Sequence, residues 1–567
     1  MRKLALIFFL TVLVFTIAQA ARKATHDSLA SAHLPPAAMA ALEKIDPEHI
    51  RAHVRFLSLD LLEGRGTGQR GGDIAAEYIA TQFWTYGLKP AGDNGTFFQK
   101  VPMVGVTPQS ETTFDFAPAK GEAMKLKPLD QYVAYDQTQQ SSNDIDADIV
   151  YVGYGIEAPE YSWDDYKGLD VRGKVLLMLV NEPTSADPNF FKGRALTFYG
   201  RWVYKYLEAA RKGAVAAILI HRSEMASYPW EVVRNSNSGE RSLLKSDAPQ
   251  LKAAAWIQQD VAKQLTQKSG LDLDKLIADA NSRDFHPVDL HAKLKAHMVT
   301  KVRPFSSNNV IAMLPGSDPK LKDEAVMYTA HYDHLGIRPD MPGDNIYNGA
   351  RDNATGCGIL VELARIYAQS PTRPRRSILL ASVTAEEQGL LGSEYLGKHP
   401  PIPAGKITLD LNYDDIPPLG APEEVEVVGS ERTTFYPTVE AMAKEFRLAI
   451  RPDSHPEAGH YYRSDHFSMA RVGVPAFSIN EGMKYKKHNT EWGMQQAEEY
   501  TNKHYHQPSD EYSPDMDFTG DAAMARFGFA LGWTAASQSS LIGWQKGDEF
   551  EKARVQSEGT VSKEPMR

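Results

Sequence analysis

Hydrophobic residues at helical spacing mark the first patterned stretch of the chain. Ile50, Val54, Leu57 and Leu61 recur every three or four positions and predict an amphipathic helix. The run Leu62-Glu63-Gly64-Arg65-Gly66-Thr67-Gly68 breaks it with glycines. A second helix is expected over 73–86, with Ala76, Ile79, Ala80 and Phe83 on one face, and Gly87 stops it. The texture changes between about 140 and 300. Apolar runs at 148–152, 174–180 and 214–220 read as short strands, with a helix over 204–212. From about 306 to 536, strand runs at 326–329, 377–383 and 407–412 alternate with helical patterns at 355–369 and 438–446. This alternation predicts an α/β fold, a mostly parallel mixed sheet sandwiched by helices. The section before it predicts a β-rich insert. The expected division is a main domain over 43–140 and 301–540, an insert over 141–300 and a polar, frayed tail over 541–567.

Composition narrows the class. The chain has 567 residues, 42% apolar and 24% charged, which excludes a disordered chain, a fibrous repeat and a polytopic membrane protein. With 62 basic and 72 acidic residues the net charge is −10, so no nucleic-acid partner is expected. The single cysteine, Cys357, excludes an intramolecular disulfide and a cysteine-rich zinc site, and its place at the start of an apolar helix reads as a small core residue. Arg2 and Lys3, the uncharged run 4–17 and Ala18-Gln19-Ala20 have the form of a cleaved export signal over 1–20. Residues 21–42, rich in Ala, Ser, His and Pro, read as a linker. Export without disulfides points to a periplasmic or secreted bacterial protein, with no membrane attachment after signal removal.

Candidate chemistry lies mostly at the ends of expected strands. Ala330-His331-Tyr332-Asp333-His334 follows one strand, Thr384-Ala385-Glu386-Glu387-Gln388-Gly389 a second and Asn412-Tyr413-Asp414 a third. Arg351-Asp352-Asn353-Ala354-Thr355-Gly356 opens a helix, and Tyr505-His506-Gln507-Pro508-Ser509-Asp510 forms an expected loop. Ligands of open α/β sheets bind beyond the carboxyl ends of strands, so these segments are expected to share one rim. They would supply imidazoles and carboxylates, a donor set zinc accepts without thiolates. No Gly-x-Ser-x-Gly elbow suggests a serine hydrolase.

The five segments together resemble the co-catalytic di-zinc exopeptidases of peptidase clan MH, the family of bacterial secreted aminopeptidases and glutamate carboxypeptidase, over about 45–540. The insert resembles a protease-associated (PA) domain through Gly153-Tyr154-Gly155-Ile156, the stretch 166–174 and the stretch 209–214. The resemblance implies two zinc ions per chain. His331 and Asp414 would bind one, Glu387 and His506 the other, and Asp352 would bridge them. Glu386 would be the general base for a shared water attacking the scissile carbonyl, and Asp333 would orient His331. The family often holds the bond after the bridging aspartate in cis, here Asp352–Asn353. Many relatives carry an acidic residue where this chain has Arg351. Ser464-Asp465-His466 resembles a loop near the family's site, and Tyr461 or Tyr462 could bring a hydroxyl to the oxyanion. The implied activity is an aminopeptidase acting on peptides. The alternatives are a carboxypeptidase or dipeptidase of the same family, or a receptor-like binding protein. The short stretch after His506 leads us to expect the aminopeptidase.

Overall fold

The computed structural model describes residues 34–561 apart from 184, 188, 247 and 340. The expected export signal and the first part of the expected linker lie outside these residues. No helix among the described residues is long and apolar enough to cross a membrane.

The sheet is built on one strand, Val288–Leu314, 27 residues long. Along its first half Leu290, Ala292, Leu294, Ala296 and Met298 are buried while His291, Lys293, Lys295 and His297 are exposed. This is the period of a strand with one wet face. Along its last turns Asn309, Val310, Ile311 and Ala312 are all buried, as in a strand covered on both faces. The first half pairs antiparallel with Ser142–Tyr151 and Thr113–Pro118, the middle with Phe98–Pro108, and the end with Ser377–Val383. The boundary expected at 300/301 therefore falls inside a continuous strand. The change of burial pattern, not a break in the chain, separates the two halves.

Beyond this strand lie the fully buried strands Ser377–Val383, Ala325–His331 and Ile407–Asn412, parallel to one another, and the short strand Ala476–Ser478. The helix Gly356–Gln369 packs on them and meets the helices Pro47–Leu57 and Thr519–Ser537. At Gly358 a Cβ would stand 3.2 Å from Ile50 and Val54, so glycine allows that close helix approach. Cys357 is buried, and its thiol donates to the His331 carbonyl. On the other side, Ser142–Tyr151, Val175–Leu179, Ala216–His221 and Ala253–Gln258 run parallel in turn, and Tyr132–Tyr135 closes the edge antiparallel. The insert's sheet thus takes in Thr113–Pro118 and Tyr132–Tyr135, before residue 141.

Two expectations from composition are corrected. Residues Pro36–Leu42 of the expected linker form a helix that buries Ala38, Ala41 and Leu42. The described part of the tail expected to fray, through Val561, is docked. Trp544 and Phe550 are buried among Tyr461, Phe467 and Val474. The Arg432 guanidinium lies 4.7 Å from the Phe550 ring centre and donates to Asp548 at 2.8 Å. In the following helix, Glu551–Val561, Arg554 donates to the carbonyls of Ala404 and Ile407 at 3.2 and 2.9 Å. Polar residues outnumber apolar ones here, but two aromatics and one buried arginine anchor the segment. Phe550→Ala is expected to destabilise the protein by about 3–5 kcal/mol, as for other buried aromatic truncations. A denaturant midpoint equal to that of the unsubstituted protein would show that the segment is not anchored by this ring.

Candidate metal centre

Every candidate ligand comes from a position where regular structure ends. His331 is the last residue of its strand, Glu386 and Glu387 follow Ser377–Val383, and Asp414 follows Ile407–Asn412. Asp352 sits in the tight turn Ala350–Thr355 ahead of the long helix, and the Asp352–Asn353 bond is cis. His506 lies after the helix Thr490–Lys503. The structure brings all of them together. His331 Nε2 is 3.1 Å from Asp414 Oδ1 and 3.3 Å from Asp352 Oδ1. His506 Nε2 is 3.0 Å from Glu387 Oε2 and 3.4 Å from Asp352 Oδ2. Asp352 thus turns one oxygen toward each imidazole. Glu386 is the more open of the two glutamates, its side chain 12% exposed against 2% for Glu387, and its Oε2 lies 3.9 Å from His331 Nε2.

A further imidazole belongs to this group. His334 is fully buried, and its Nδ1 lies 2.6 Å from Glu387 Oε1. The two form a buried pair, with no other hydrogen-bond partner for either atom among the described residues. A buried imidazole and carboxylate that converge in this way are a donor set that a cation can share. Two groups have ligand atoms close enough to share an ion: His331, Asp352 and Asp414, and His334, Asp352 and Glu387. The electrostatics agree. Burial opposes ionisation of Asp352, yet hydrogen bonds from His331 and His506 hold it well below the usual carboxylate range. Burial likewise works against His506⁺, but Glu387 and Asp352 raise its pKa to about 10. Burial pushes Glu386 well above the usual range despite His331.

Asp333 has a broader role than expected. His331 Nδ1 meets its backbone carbonyl at 3.2 Å, while its carboxylate oxygen is 3.8 Å away. That carboxylate instead accepts the Glu386 N–H at 3.0 Å and the Thr67 hydroxyl at 3.1 Å. It therefore places the Glu386 backbone. The glycine-broken run after the first helix supplies another support. The buried Arg65 donates to the carbonyls of Leu57, Tyr332, Asn348 and Gly349 at 2.5–2.9 Å, tying the His331 loop to the one leading into Asp352. Asp510 accepts the N–H groups of Arg351 and Asp352. Arg351 itself pairs with Asp415 at 2.6 Å and stacks on Tyr500.

The insert reaches into the same site. Ser236, from the helix Trp230–Asn237, lies 2.9 Å from His506 Nδ1, and Asn235 donates to the His506 carbonyl at 2.9 Å. Arg241 donates to the carbonyls of Glu387 and Gln388 at 3.2 and 3.0 Å. These contacts close a cavity of about 120 Å³ between insert and main domain, lined in part by Glu386, Glu387, His506, Tyr228, Tyr462 and Tyr505. Neither tyrosine expected near an oxyanion offers a free hydroxyl. Tyr461 donates to the Ala476 carbonyl and Tyr462 to Glu549. Ser464 accepts from Asn412 at 2.7 Å, and Asp465 is buried and pushed up to about 7, by burial first. The sequence signal for His334 was present beside His331 and Asp333. No local signal marked Ser236 or Arg241.

The model of Peptidase family M28 matches residues 309–527, the stretch carrying every candidate ligand. Among curated proteins, leupeptin-inactivating enzyme 1 of Streptomyces exfoliatus is 26% identical over 42% of this chain and 52% of its own. A "probable zinc metalloprotease" of Leptosphaeria maculans is 41% identical over 16% of this chain and 20% of its own. The chain thus spans between a fifth and about half of the length of these relatives. Among solved structures, an aminopeptidase from Aneurinibacillus sp. strain AM-1 matches over 89% of this chain and 98% of its own, at 20% identity and a TM-score of 0.50, a likeness of fold.

If Ser236 orients the His506 ring, Ser236→Ala is expected to weaken retention of a divalent cation about 10–100-fold, the usual cost of removing such a partner. Equilibrium dialysis against a zinc buffer would measure it, and unchanged retention would make the contact incidental.

Proposed function

We propose, on the premise that residues 309–527 are a Peptidase family M28 domain, that this protein is an exported zinc-dependent aminopeptidase with a PA-type insert. The single observation carrying the reading is Asp352, whose two oxygens face the imidazoles of His331 and His506. His331 and Asp414 would hold one zinc ion, Glu387 and His506 the other, with Asp352 between them and His334 against Glu387. Bound there, two such ions polarise a carbonyl and lower the pKa of water.

The chain's own residues do the rest. Glu386 stands at the cavity beside this group and is the carboxylate left to take a proton from the attacking water and return it to the leaving amine. Asp333 and Thr67 hold the Glu386 backbone in place for both transfers. The insert covers the site and restricts its water, which strengthens each electrostatic contact inside. Export rests on the signal-like run 1–20.

Zinc content should come to about two per chain, and the protein should hydrolyse aminoacyl-p-nitroanilides and peptides but not their N-acetylated forms. Activity that survives N-acetylation and requires a free C-terminus would replace the aminopeptidase with a carboxypeptidase. Glu386→Gln is expected to keep its zinc and lose about 10²–10⁴-fold in kcat, the usual contribution of a general base. Normal turnover in that variant would remove Glu386 from the role.

A further inference from the structure

The cavity at the metal group holds two arginines that the chemistry above leaves unused. Arg201 comes from the insert, directly before the helix Trp202–Arg211, and Arg463 from the main domain, after the turn His460–Tyr462. Both line the cavity with Glu386, Glu387 and His506. The Nε atoms of both are buried and have no hydrogen-bond partner among the described residues. No described carboxylate lies within ion-pair distance of either. Among the described residues Arg463 donates to the Ala226 carbonyl at 3.0 Å and the Ser227 hydroxyl at 2.7 Å, and its guanidinium lies 5.4 Å from the Tyr228 ring centre. Burial and the neighbouring Arg463 charge bring Arg201 down to about 10, so it remains a cation at neutral pH.

An unpartnered buried Nε is not peculiar to these two, since Arg241 has one as well. What sets Arg201 and Arg463 apart is their place: both are half-buried at the cavity wall, whereas Arg65 and Arg241 donate to backbone carbonyls and Arg432 pairs with Asp548 and Glu549. A guanidinium cannot escape the cost of burial by losing its proton at neutral pH. Two of them side by side also repel. The group that relieves both costs is a planar anion taking N–H bonds from the forked donors, which is the geometry of a carboxylate.

We propose that Arg201 and Arg463 form a carboxylate-binding subsite, so that the preferred substrates are peptides carrying a carboxylate close to the scissile bond. This rests on the peptidase reading of the same cavity. The carboxylate comes from one of two sources, the free C-terminus of a very short peptide or the side chain of an acidic residue. Tyr228 and Tyr505, within electrostatic reach of Arg201, wall the subsite and would pack against the intervening aliphatic atoms.

The test uses the zinc-loaded full chain carrying Glu386→Gln, so that peptides bind without turnover. Calorimetry compares Ala-Ala with Ala-Ala-amide for the first source. Ala-Glu-amide against Ala-Gln-amide, and Glu-Ala-amide against Gln-Ala-amide, test the second. The carboxylate member of at least one pair is expected to bind about 10–100-fold tighter, the range for a charge-assisted hydrogen bond. Arg201→Gln or Arg463→Gln should bring that ratio toward one, with Arg201→Lys restoring part of it. Equal affinities within all three pairs would overturn the subsite, and this comparison needs no arginine variant to fold. A preference unchanged in both glutamine variants would overturn it too. Hydrolysis by the unsubstituted protein is scored separately. A protein that cleaves the panel without discriminating loses the subsite alone, and one that discriminates in binding but cleaves nothing loses the peptidase reading alone.

Discussion

Asp352 is the constraint around which the site is arranged. Its carboxylate lies between two imidazoles with one oxygen toward each, at 3.3 and 3.4 Å. That position demands control of the backbone on both sides. Asp510 supplies part of it by accepting the N–H groups of Arg351 and Asp352. Asn353 adds to it by donating to the Tyr413 carbonyl, which ties the turn to the strand end that carries Asp414. Arg65 completes it from the far side, donating at once to the loops around Tyr332 and Gly349. The buried guanidinium is stable there because carbonyl oxygens take up its donors.

Concentrating charge in this way is expensive. Each ion removed from water costs several kcal/mol even after relaxation. His331, His334, Asp352, Glu387 and His506 are all nearly inaccessible. The cost is tolerable only because opposite charges and lone pairs converge. The fold places His331, Glu387 and Asp414 at strand ends, where backbone geometry is rigid up to the last hydrogen-bonded residue and free beyond it, and brings Asp352 and His506 in from helix boundaries. His331 illustrates this. It is still paired in the sheet, opposite Val383, while its side chain already points into the cluster.

Much of this was legible in the sequence, and the boundary of legibility has a physical cause. The buried parallel strands announce themselves as apolar runs, and the ligands follow directly after them, so His331, Glu387 and Asp414 could be picked from local pattern. His334 was in view, but a second histidine in the same loop has no distinctive spacing. Ser236 was invisible because its contact with His506 joins residues 270 positions apart, and an isolated serine in a helical stretch carries no signal. The long strand was missed for another reason. Its first half alternates, the polar stretch 306–309 interrupts it and only 310–314 is a continuous apolar run, so period analysis splits it into unrelated pieces. The docked tail was missed because composition averages over Trp544 and Phe550, which hold it.

The insert is therefore part of the site. The helix Trp230–Asn237 contacts His506 through both its ring and its carbonyl, and Arg241 just beyond it holds the Glu387 carbonyl. The same unit brings Arg201 and Trp202 to the cavity wall. On the proposed reading, retention of a cation and recognition of a substrate would both depend on this one interface. A shift of the insert that moved the wall would also release the His506 ring and loosen the Glu387 loop, so the two properties cannot be tuned independently by moving it. They can be separated only by side chains that serve one and not the other. Ser236 touches a candidate ligand and Arg201 touches none, which makes these two residues the natural points at which cation retention and substrate choice come apart.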